Sequence, residues 1–207
     1  MVSPLLATKL YLPRLRRSLV PRPRLSERLD RGAETKLTLV SAPAGFGKTT
    51  LLTEWLELLK YSAAWVSLDQ ADNHATSFWS YVIAALQTVE PHIGANAIAL
   101  LQSPPPAPIE AVLTLLLNEL SAISNEVVLV FDDYHVIDAR DIHDGMVFLL
   151  DHLPPRLHLV IASRADPPLP LARLRGLGAL VEIRAEDCGL RQTRSPAISM
   201  TPRWVSI

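Results

Sequence analysis

The chain has 207 residues, 49% of them hydrophobic, and a formal net charge of -1 at neutral pH. This length fits one α/β domain with a short appendage, and the balanced charge means that the chain has no overall positive field to attract nucleic acid. The single cysteine, Cys188, excludes an intrachain disulfide and makes the reducing cytoplasm the expected compartment. We expect no membrane segment, because the apolar runs are too short to span a bilayer.

The first 24 residues combine arginines with prolines and stand apart from the rest of the chain. Prolines at this spacing argue against a continuous helix, so we predict an extended arm over residues 1–24. A short helix from Arg24 to Arg31, ended by Gly32, is predicted to follow the arm.

From residue 36 onwards, strand and helix patterns alternate. The predicted strands cover residues 36–41, 63–68, 126–131, 157–162 and 180–184, and the predicted helices cover 48–60, 75–89, 109–121 and 141–153. Residues 91–108 contain a cluster of prolines and are predicted to form a loop. This alternation predicts a three-layer α/β/α sandwich with a parallel central sheet, in which ligands bind at the carboxyl ends of the strands.

The segment Ala42–Thr50 has the spacing of a phosphate-binding P-loop, with alanine in the place of the first glycine. Gly45 and Gly47 leave room for backbone N–H groups to surround an anion, and the following helix points its positive end at the same anion. Lys48 supplies a charge to the β- and γ-phosphates, and the Thr49 hydroxyl is a ligand for Mg²⁺. The alternative is a glycine-containing turn between a strand and a helix. The predicted nucleotide contacts of this loop are Pro43, Ala44, Gly45, Phe46, Gly47, Lys48, Thr49 and Thr50.

Two acids, Asp132 and Asp133, follow the apolar strand near residue 131. Asp132 is predicted to hold Mg²⁺ beside Thr49, and Asp133 to orient or deprotonate an attacking water; the alternative is that both cap the next loop. His135 is either a hydrogen-bond partner of one acid or an ordinary loop histidine.

Three arginines complete the predicted site. Arg164 follows the fourth strand and can reach a γ-phosphate, or it is an exposed structural arginine. Arg22 and Arg24 either close over the nucleotide or belong to a solvated arm. The predicted catalytic set is therefore Lys48, Asp132, Asp133 and Arg164.

Several stretches resemble the nucleotide-binding domain of MalT-type ATP-dependent regulators, which are large LuxR-type bacterial transcription activators of the signal-transducing STAND class of P-loop ATPases. The resemblance extends from about residue 5 to residue 187. The stretches that carry it are Lys9–Pro13, Leu19–Leu25, Ala42–Thr50, Trp65–Asp69 with Asp72, Asn73, Phe78 and Trp79, Phe131–Ile137, His152–Pro155, and Ile161–Arg164 with Asp166–Arg175.

The resemblance implies a switch between ATP and ADP states. In such proteins ATP and an inducer favour an oligomerising active form, slow Mg²⁺-dependent hydrolysis resets the switch, and a C-terminal helix-turn-helix domain binds promoter DNA. Carried over by position, Lys48 and Thr49 hold the phosphates and Mg²⁺, Asp132 the metal, and Arg164 senses the γ-phosphate.

The sequence departs from this family after residue 187, where the usual helix start gives way to an irregular run. We therefore expect an arm over 1–24, an ATPase domain over 25–187 and an irregular tail over 188–207, the tail being the product of an interrupted reading frame. The sensor and DNA-binding parts of the family are absent from the 207 residues. Two alternatives stay open: a free-standing P-loop ATPase or small-molecule kinase, and a non-functional truncated remnant.

Overall fold

Five parallel strands form one sheet in the computed structural model, which describes residues 4–14, 22–59, 61–105 and 107–188. The strands are β1 (Leu37–Ser41), β2 (Ser62–Ser67), β3 (Val127–Asp132), β4 (Leu157–Ser163) and β5 (Leu180–Arg184). Their order across the sheet is β2-β3-β4-β1-β5, and every neighbouring pair is parallel. All the carboxyl ends therefore lie along one edge, with β1 between β4 and β5.

Eight α-helices and three short 3-10 helices precede, connect or follow the strands in the described ranges. The α-helices are α1 (Pro23–Ala33), α2 (Lys48–Leu58), α3 (Ala75–Gln87), α4 (Ala95–Leu101), α5 (Ile109–Ser121), α6 (Arg140–Asp151), α7 (Leu171–Gly176) and α8 (Ala185–Cys188). The 3-10 helices are Ala7–Leu10, Gln70–Asp72 and Tyr134–Val136. Among these helices none has both the length and the apolar character needed to cross a membrane.

The side chains of the strands alternate between two separate apolar cores. In β3, Leu129 and Phe131 join the core formed with α3 to α7, whereas Val128 and Val130 join the core formed with α1 and α2. Because successive residues of a strand point to opposite faces, a continuous apolar strand needs helices on both sides. The predicted three-layer α/β/α sandwich with a parallel sheet is thereby confirmed.

A polar cluster is buried at the amino end of the sheet. The His158 Nδ1 atom lies 2.7 Å from the Thr35 carbonyl oxygen, and its Nε2 atom lies 3.1 Å from Thr38 Oγ1. Burial lowers the pKa of His158 to about 4, so the ring is neutral at pH 7. Gly32 of α1 packs directly against Thr38, because a Cβ atom at Gly32 would lie 2.2 Å from Thr38 Oγ1.

The main errors of the sequence-based assignment are missed short helices. Residues 91–108 contain α4, which follows Gly94 with φ +76°, and the proline cluster 104–108 comes after the helix in the sequence. The arm was expected to be extended, yet Ala7–Leu10 form a 3-10 helix that packs against β2 and α3. The helix α7 was also missed, and α1 continues past Gly32 to Ala33. Arm residues 1–3 and 15–21 and tail residues 189–207 lie outside the described residues.

Candidate nucleotide-binding site

The P-loop connects the carboxyl end of β1 to the first turn of α2. Gly45 and Gly47 both adopt left-handed backbone conformations, with φ of +84° and +72°. Residues other than glycine rarely adopt these backbone angles, so glycine is the favoured residue at both positions where the loop turns. A Cβ atom added at Gly45 would meet nothing within 4 Å, so this part of the loop is open. Gly47 caps α2, whose N-terminal N–H groups lie beside the loop.

Lys48 is the first residue of α2 and is almost fully buried beneath the loop. Its Nζ donates to the carbonyl oxygens of Ala42 at 2.8 Å and Pro43 at 3.3 Å. The ammonium group is thus held at the base of the loop by backbone oxygens that are themselves part of the loop. This position allows Lys48 to act as a point charge toward an anion that the loop surrounds.

Thr49 and Asp132 join the P-loop to the end of β3. Thr49 Oγ1 donates to Asp132 Oδ2 at 2.9 Å, and the other carboxylate oxygen of Asp132 accepts from the Asp133 N–H at 3.1 Å. Asp132 is 5% exposed, and its burial raises its pKa to about 6. A hydroxyl and a carboxylate in contact are the oxygen ligands that Mg²⁺ prefers.

Asp133 and His135 lie directly beyond this pair. Asp133 has φ +58°, the only positive φ of a residue other than glycine among the described residues. Its Oδ1 lies 3.7 Å from His135 Nδ1, a buried atom without a hydrogen-bond partner in the described structure. Burial lowers the pKa of His135, and the positive charges of Arg164 and Lys48 lower it further, against the opposing effect of Asp133. The imidazole is therefore neutral at pH 7 and forms no ion pair with Asp133.

The predicted arginines occupy different positions around this centre. Arg22 lies against the P-loop: its Nη1 donates to the Phe46 carbonyl at 3.2 Å. Arg164 is exposed immediately after β4, at the same edge of the sheet as the acids. Arg24 is exposed in the first turn of α1, and no hydrogen bond joins it to the P-loop in the described structure. The structure thus brings Arg22 to the loop and Arg164 to the acid side, and it leaves Arg24 in solvent.

The remaining predicted loop residues differ in exposure. Pro43, Ala44, Phe46 and Thr50 are exposed on the outer side of the loop and of α2. Phe46 is the only large apolar side chain among them. These four residues therefore shape the rim of the site, whereas Lys48 and Thr49 form its floor.

Sequence reasoning missed one residue that contacts the acid-bearing segment, Asn73. This side chain follows β2 and hydrogen-bonds to the backbone of Val136, Asp138 and Ala139. Asn73 is among the residues that carry the family resemblance, but the sequence gave it no role, and only the tertiary contact reveals its partners.

The residues present fit a magnesium-bound nucleoside phosphate. The loop offers backbone N–H groups, an open surface at Gly45 and a buried ammonium group, which match a phosphate chain in shape and charge. In the described part of the chain no group of three or more His, Cys, Asp or Glu residues is arranged to hold a metal. Mg²⁺ would therefore be held by Thr49 and Asp132 together with phosphate oxygens and water, as is usual for this ion.

Residues 23–162 match the family model described as AAA ATPase domain. The chain belongs to the AAA ATPase domain family. This match begins at the first residue of α1 and ends within β4, so it contains the P-loop, Asp132 and Asp133.

Two curated relatives of this AAA ATPase domain are HTH-type transcriptional regulators named MalT. The chain is 41% identical to the protein from Serratia proteamaculans over 183 residues and 38% identical to the protein from Yersinia pestis over 179 residues. These alignments cover 88% and 86% of this chain but only 20% of each relative. The expected kinship with the nucleotide-binding domain of MalT-type regulators is confirmed, for about a fifth of their length.

Two solved structures share the fold at low sequence identity. Cdc6p from Pyrobaculum aerophilum has a TM-score of 0.56 and 18% identity, and the match covers 87% of this chain and 49% of that chain. A STAND protein with a tetratricopeptide repeat sensor from Pyrococcus horikoshii has a TM-score of 0.50 and 16% identity. This match covers 83% of this chain and 24% of that chain. At this identity both matches support the fold alone.

Proposed function

We propose that this AAA ATPase domain is a regulatory switch that binds ATP and ADP and hydrolyses ATP slowly with Mg²⁺. The observation that carries the proposal is the 2.9 Å hydrogen bond between Thr49 of the P-loop and Asp132 of β3. It joins the phosphate-binding loop, which follows β1, to the buried acid that ends β3, a strand separated from β1 by β4. The kinship with regulators named MalT favours a signalling role over a metabolic one.

Each residue has a defined role in the proposal. Lys48 and the N–H groups of the P-loop neutralise the phosphates, and Thr49 and Asp132 hold the metal. Mg²⁺, when bound, supplies charge stabilisation to the phosphates. Asp133 orients or deprotonates a water molecule, and Arg164 senses the terminal phosphate from the end of β4. Arg22 closes one side of the pocket through its contact with Phe46.

The proposed partners are inferred from the relatives of this chain, which are HTH-type transcriptional regulators. ATP favours self-association, and an inducer and promoter DNA act through regions that the longer regulators possess. A regulator that responds to nucleotide and acts at promoters is expected to work in the cytoplasm. The expected loss of reading frame near residue 187 stays a prediction.

Calorimetric titration with ATP and with ADP, each with Mg²⁺, tests nucleotide binding. We expect Lys48→Ala to weaken both affinities at least about 100-fold, because the buried ammonium is the main cation at the loop. Lys36→Ala is the matched control: Lys36 donates to the carbonyls of Leu150 and Asp151 at the opposite end of the sheet. Equal affinities in the wild type and Lys48→Ala would reject the assignment of the P-loop.

Phosphate release and sedimentation test the switch itself. We expect slow, Mg²⁺-dependent release of phosphate from ATP, which Asp133→Asn reduces without changing the affinity for ADP. Sedimentation in ATP and in ADP is expected to show larger species with ATP. If the chain binds both nucleotides tightly but neither releases phosphate nor changes its sedimentation, it binds nucleotide without acting as a switch, and the proposed switch is rejected.

A further inference from the structure

The side chain of Asn73 spans the gap between the loop after β2 and the loop after β3. Its Oδ1 accepts from the backbone N–H groups of Asp138 at 2.6 Å and Ala139 at 3.1 Å. Its Nδ2 donates to the carbonyl oxygens of Val136 at 2.7 Å and Gln70 at 3.3 Å. All four hydrogen bonds go to backbone atoms, so the side chain fixes the path of the chain irrespective of the neighbouring side chains.

The segment that Asn73 holds begins at Asp133, the acid proposed to act on water. Asp133 is in the left-handed region with φ +58°, a conformation that costs free energy for any residue other than glycine. Such a conformation persists only where the surrounding structure fixes it. The turn that follows Asp133 is closed by a bond from the Val136 N–H to the Asp133 carbonyl at 3.2 Å.

Two contacts hold this turn, one with α6 and one with the loop after β2. Tyr134 is buried in the core and its hydroxyl lies 3.0 Å from His143 Nδ1 of α6. Asn73 binds the carbonyl of Val136, the residue whose N–H closes the turn. The bond from Asn73 therefore acts on the same peptide segment that keeps Asp133 in its unusual conformation.

Asn73 is itself held in place from the N-terminal side. The preceding residue, Asp72, accepts a bond from Lys9 Nζ at 2.8 Å and one from the Asp69 N–H at 2.9 Å. Asp72 is 1% exposed, and burial shields this ion pair from solvent. The loop after β2 is thus a fixed support from which Asn73 reaches the segment after β3.

We propose that Asn73 is a positioning residue for Asp133: its hydrogen bonds to Val136, Asp138 and Ala139 keep the turn after β3 in the conformation that aims the Asp133 carboxylate. This proposal rests on the proposed function, in which Asp133 orients or deprotonates the attacking water. It predicts that Asn73 affects the rate of hydrolysis and leaves the binding of nucleotide, which depends on the P-loop, unchanged.

The test compares Asn73→Ala and Asn73→Asp with the wild-type chain by three measurements: amide hydrogen exchange, affinity for ATP and ADP with Mg²⁺, and the rate of phosphate release. Asn73→Ala removes all four bonds. Asn73→Asp retains acceptors for Asp138 and Ala139 but places an oxygen against the Val136 carbonyl. Asn96→Ala is the matched control, since Asn96 is an exposed asparagine of α4 whose Nδ2 donates to Glu119 at 3.2 Å.

In Asn73→Ala we expect the amides of Asp138 and Ala139 to exchange at least about tenfold faster and hydrolysis to slow about tenfold, with both affinities within about twofold of the wild type. In Asn73→Asp the amides of Asp138 and Ala139 stay protected, whereas hydrolysis is still reduced, because the bond to Val136 is lost. Asn96→Ala matches the wild type in all three measurements.

Three outcomes would overturn the inference. Unchanged hydrolysis in Asn73→Ala, with faster exchange, would show that the turn does not depend on Asn73 for its function. Equal losses of affinity and of hydrolysis would show a general structural role. A wild-type chain that binds Mg²⁺ and ATP but never releases phosphate would reject hydrolysis in the proposed function, and the inference with it, whereas the first two outcomes leave the proposed function intact.

Discussion

Each end of the sheet has a threonine hydrogen-bonded to a buried ionisable side chain, and burial shifts the pKa of that side chain in opposite directions. At the amino end, both ring nitrogens of His158 have partners, Thr35 and Thr38, and the ring stays neutral. At the carboxyl end, Asp132 is buried beside Thr49 and ionises only above its raised pKa of about 6. The amino end also has a tightly packed glycine, Gly32, whereas the carboxyl end has open backbone at Gly45.

This difference shows which end of the sheet lowers the stability of the fold at neutral pH. The charged form of Asp132 at pH 7 opposes folding, and the role that we propose for it, binding Mg²⁺, is a reason to retain such a group. The neutral form of His158 satisfies its hydrogen bonds and supports folding. One end thus has open backbone beside a buried acid and the other is closely packed, although both lie on the same strands.

The largest expected effect on stability comes from protonating His158. Its folded pKa of about 4 lies below the unfolded value of 6.5, so the stability present above pH 6.5 is lost as the pH falls through 4. A shift of this size corresponds to about 3 kcal/mol. Urea unfolding at pH 7 and pH 4 is therefore expected to show that the wild type loses about 3 kcal/mol more than His158→Gln does. The exposed His92 provides the control His92→Gln, for which we expect the same loss as in the wild type.

Substitution of Asp132 is expected to raise the free energy of unfolding at neutral pH, whereas protonation of His158 lowers it. Its folded pKa of about 6 lies above the usual value of 3.8, so the carboxyl group lowers stability as the pH rises from about 4 to 6. In buffer with EDTA at pH 7.5 we expect Asp132→Asn to stabilise the fold by about 3 kcal/mol, with little gain at pH 4. The same variant weakens the Mg²⁺ dependence of ATP binding more than the affinity itself. Asp144→Asn, on the exposed face of α6, serves as control; a gain at pH 7.5 in that variant alone would contradict the assignment.

The packing of the amino end is tested at Gly32. An added methyl group would meet Thr38 Oγ1 at 2.2 Å, and Thr38 cannot turn away without leaving His158. Although alanine favours helices, we expect Gly32→Ala to lower the free energy of unfolding by about 1.5 kcal/mol. Gly176 of α7 is the matched site because a Cβ there meets nothing within 4 Å. Gly176→Ala should leave stability unchanged or higher, and equal losses at both positions would disprove the role of the contact with Thr38.

The smallest expected effect on stability concerns the open glycine of the P-loop. Gly45 has φ +84° and Gly178, at the amino end of β5, has φ +65°, and neither would give a new Cβ a contact within 4 Å. Each alanine variant is therefore expected to cost about 1 kcal/mol of backbone strain. Only Gly45→Ala should also weaken the binding of ATP in calorimetry. Equal affinities in the two variants would mean that Gly45 does not line the nucleotide site.

The P-loop was predictable from sequence because its chemistry is local. Glycines at fixed spacing, a lysine and a threonine at the start of a helix specify both the turn and the ligand, and the structure forms that turn at Gly45 and Gly47. The helix α4 was missed because the prolines that follow it made residues 91–108 look irregular as a whole. Arg22 and Arg24 looked alike in the sequence, yet only Arg22 contacts the loop.

The sequence by itself determined the alternation of strands and helices, and with it the parallel sheet, because a period of apolar residues reports which side of each element is buried. It also determined that the P-loop and the acids Asp132 and Asp133 share one edge, since parallel strands end together. Only the tertiary structure decided that Asp132 is buried against Thr49, that His158 is held between two threonines, and that Asn73 holds the turn after Asp133. These contacts join residues that are 63, 83 and 120 positions apart along the chain, and no local pattern specifies which distant atoms will meet.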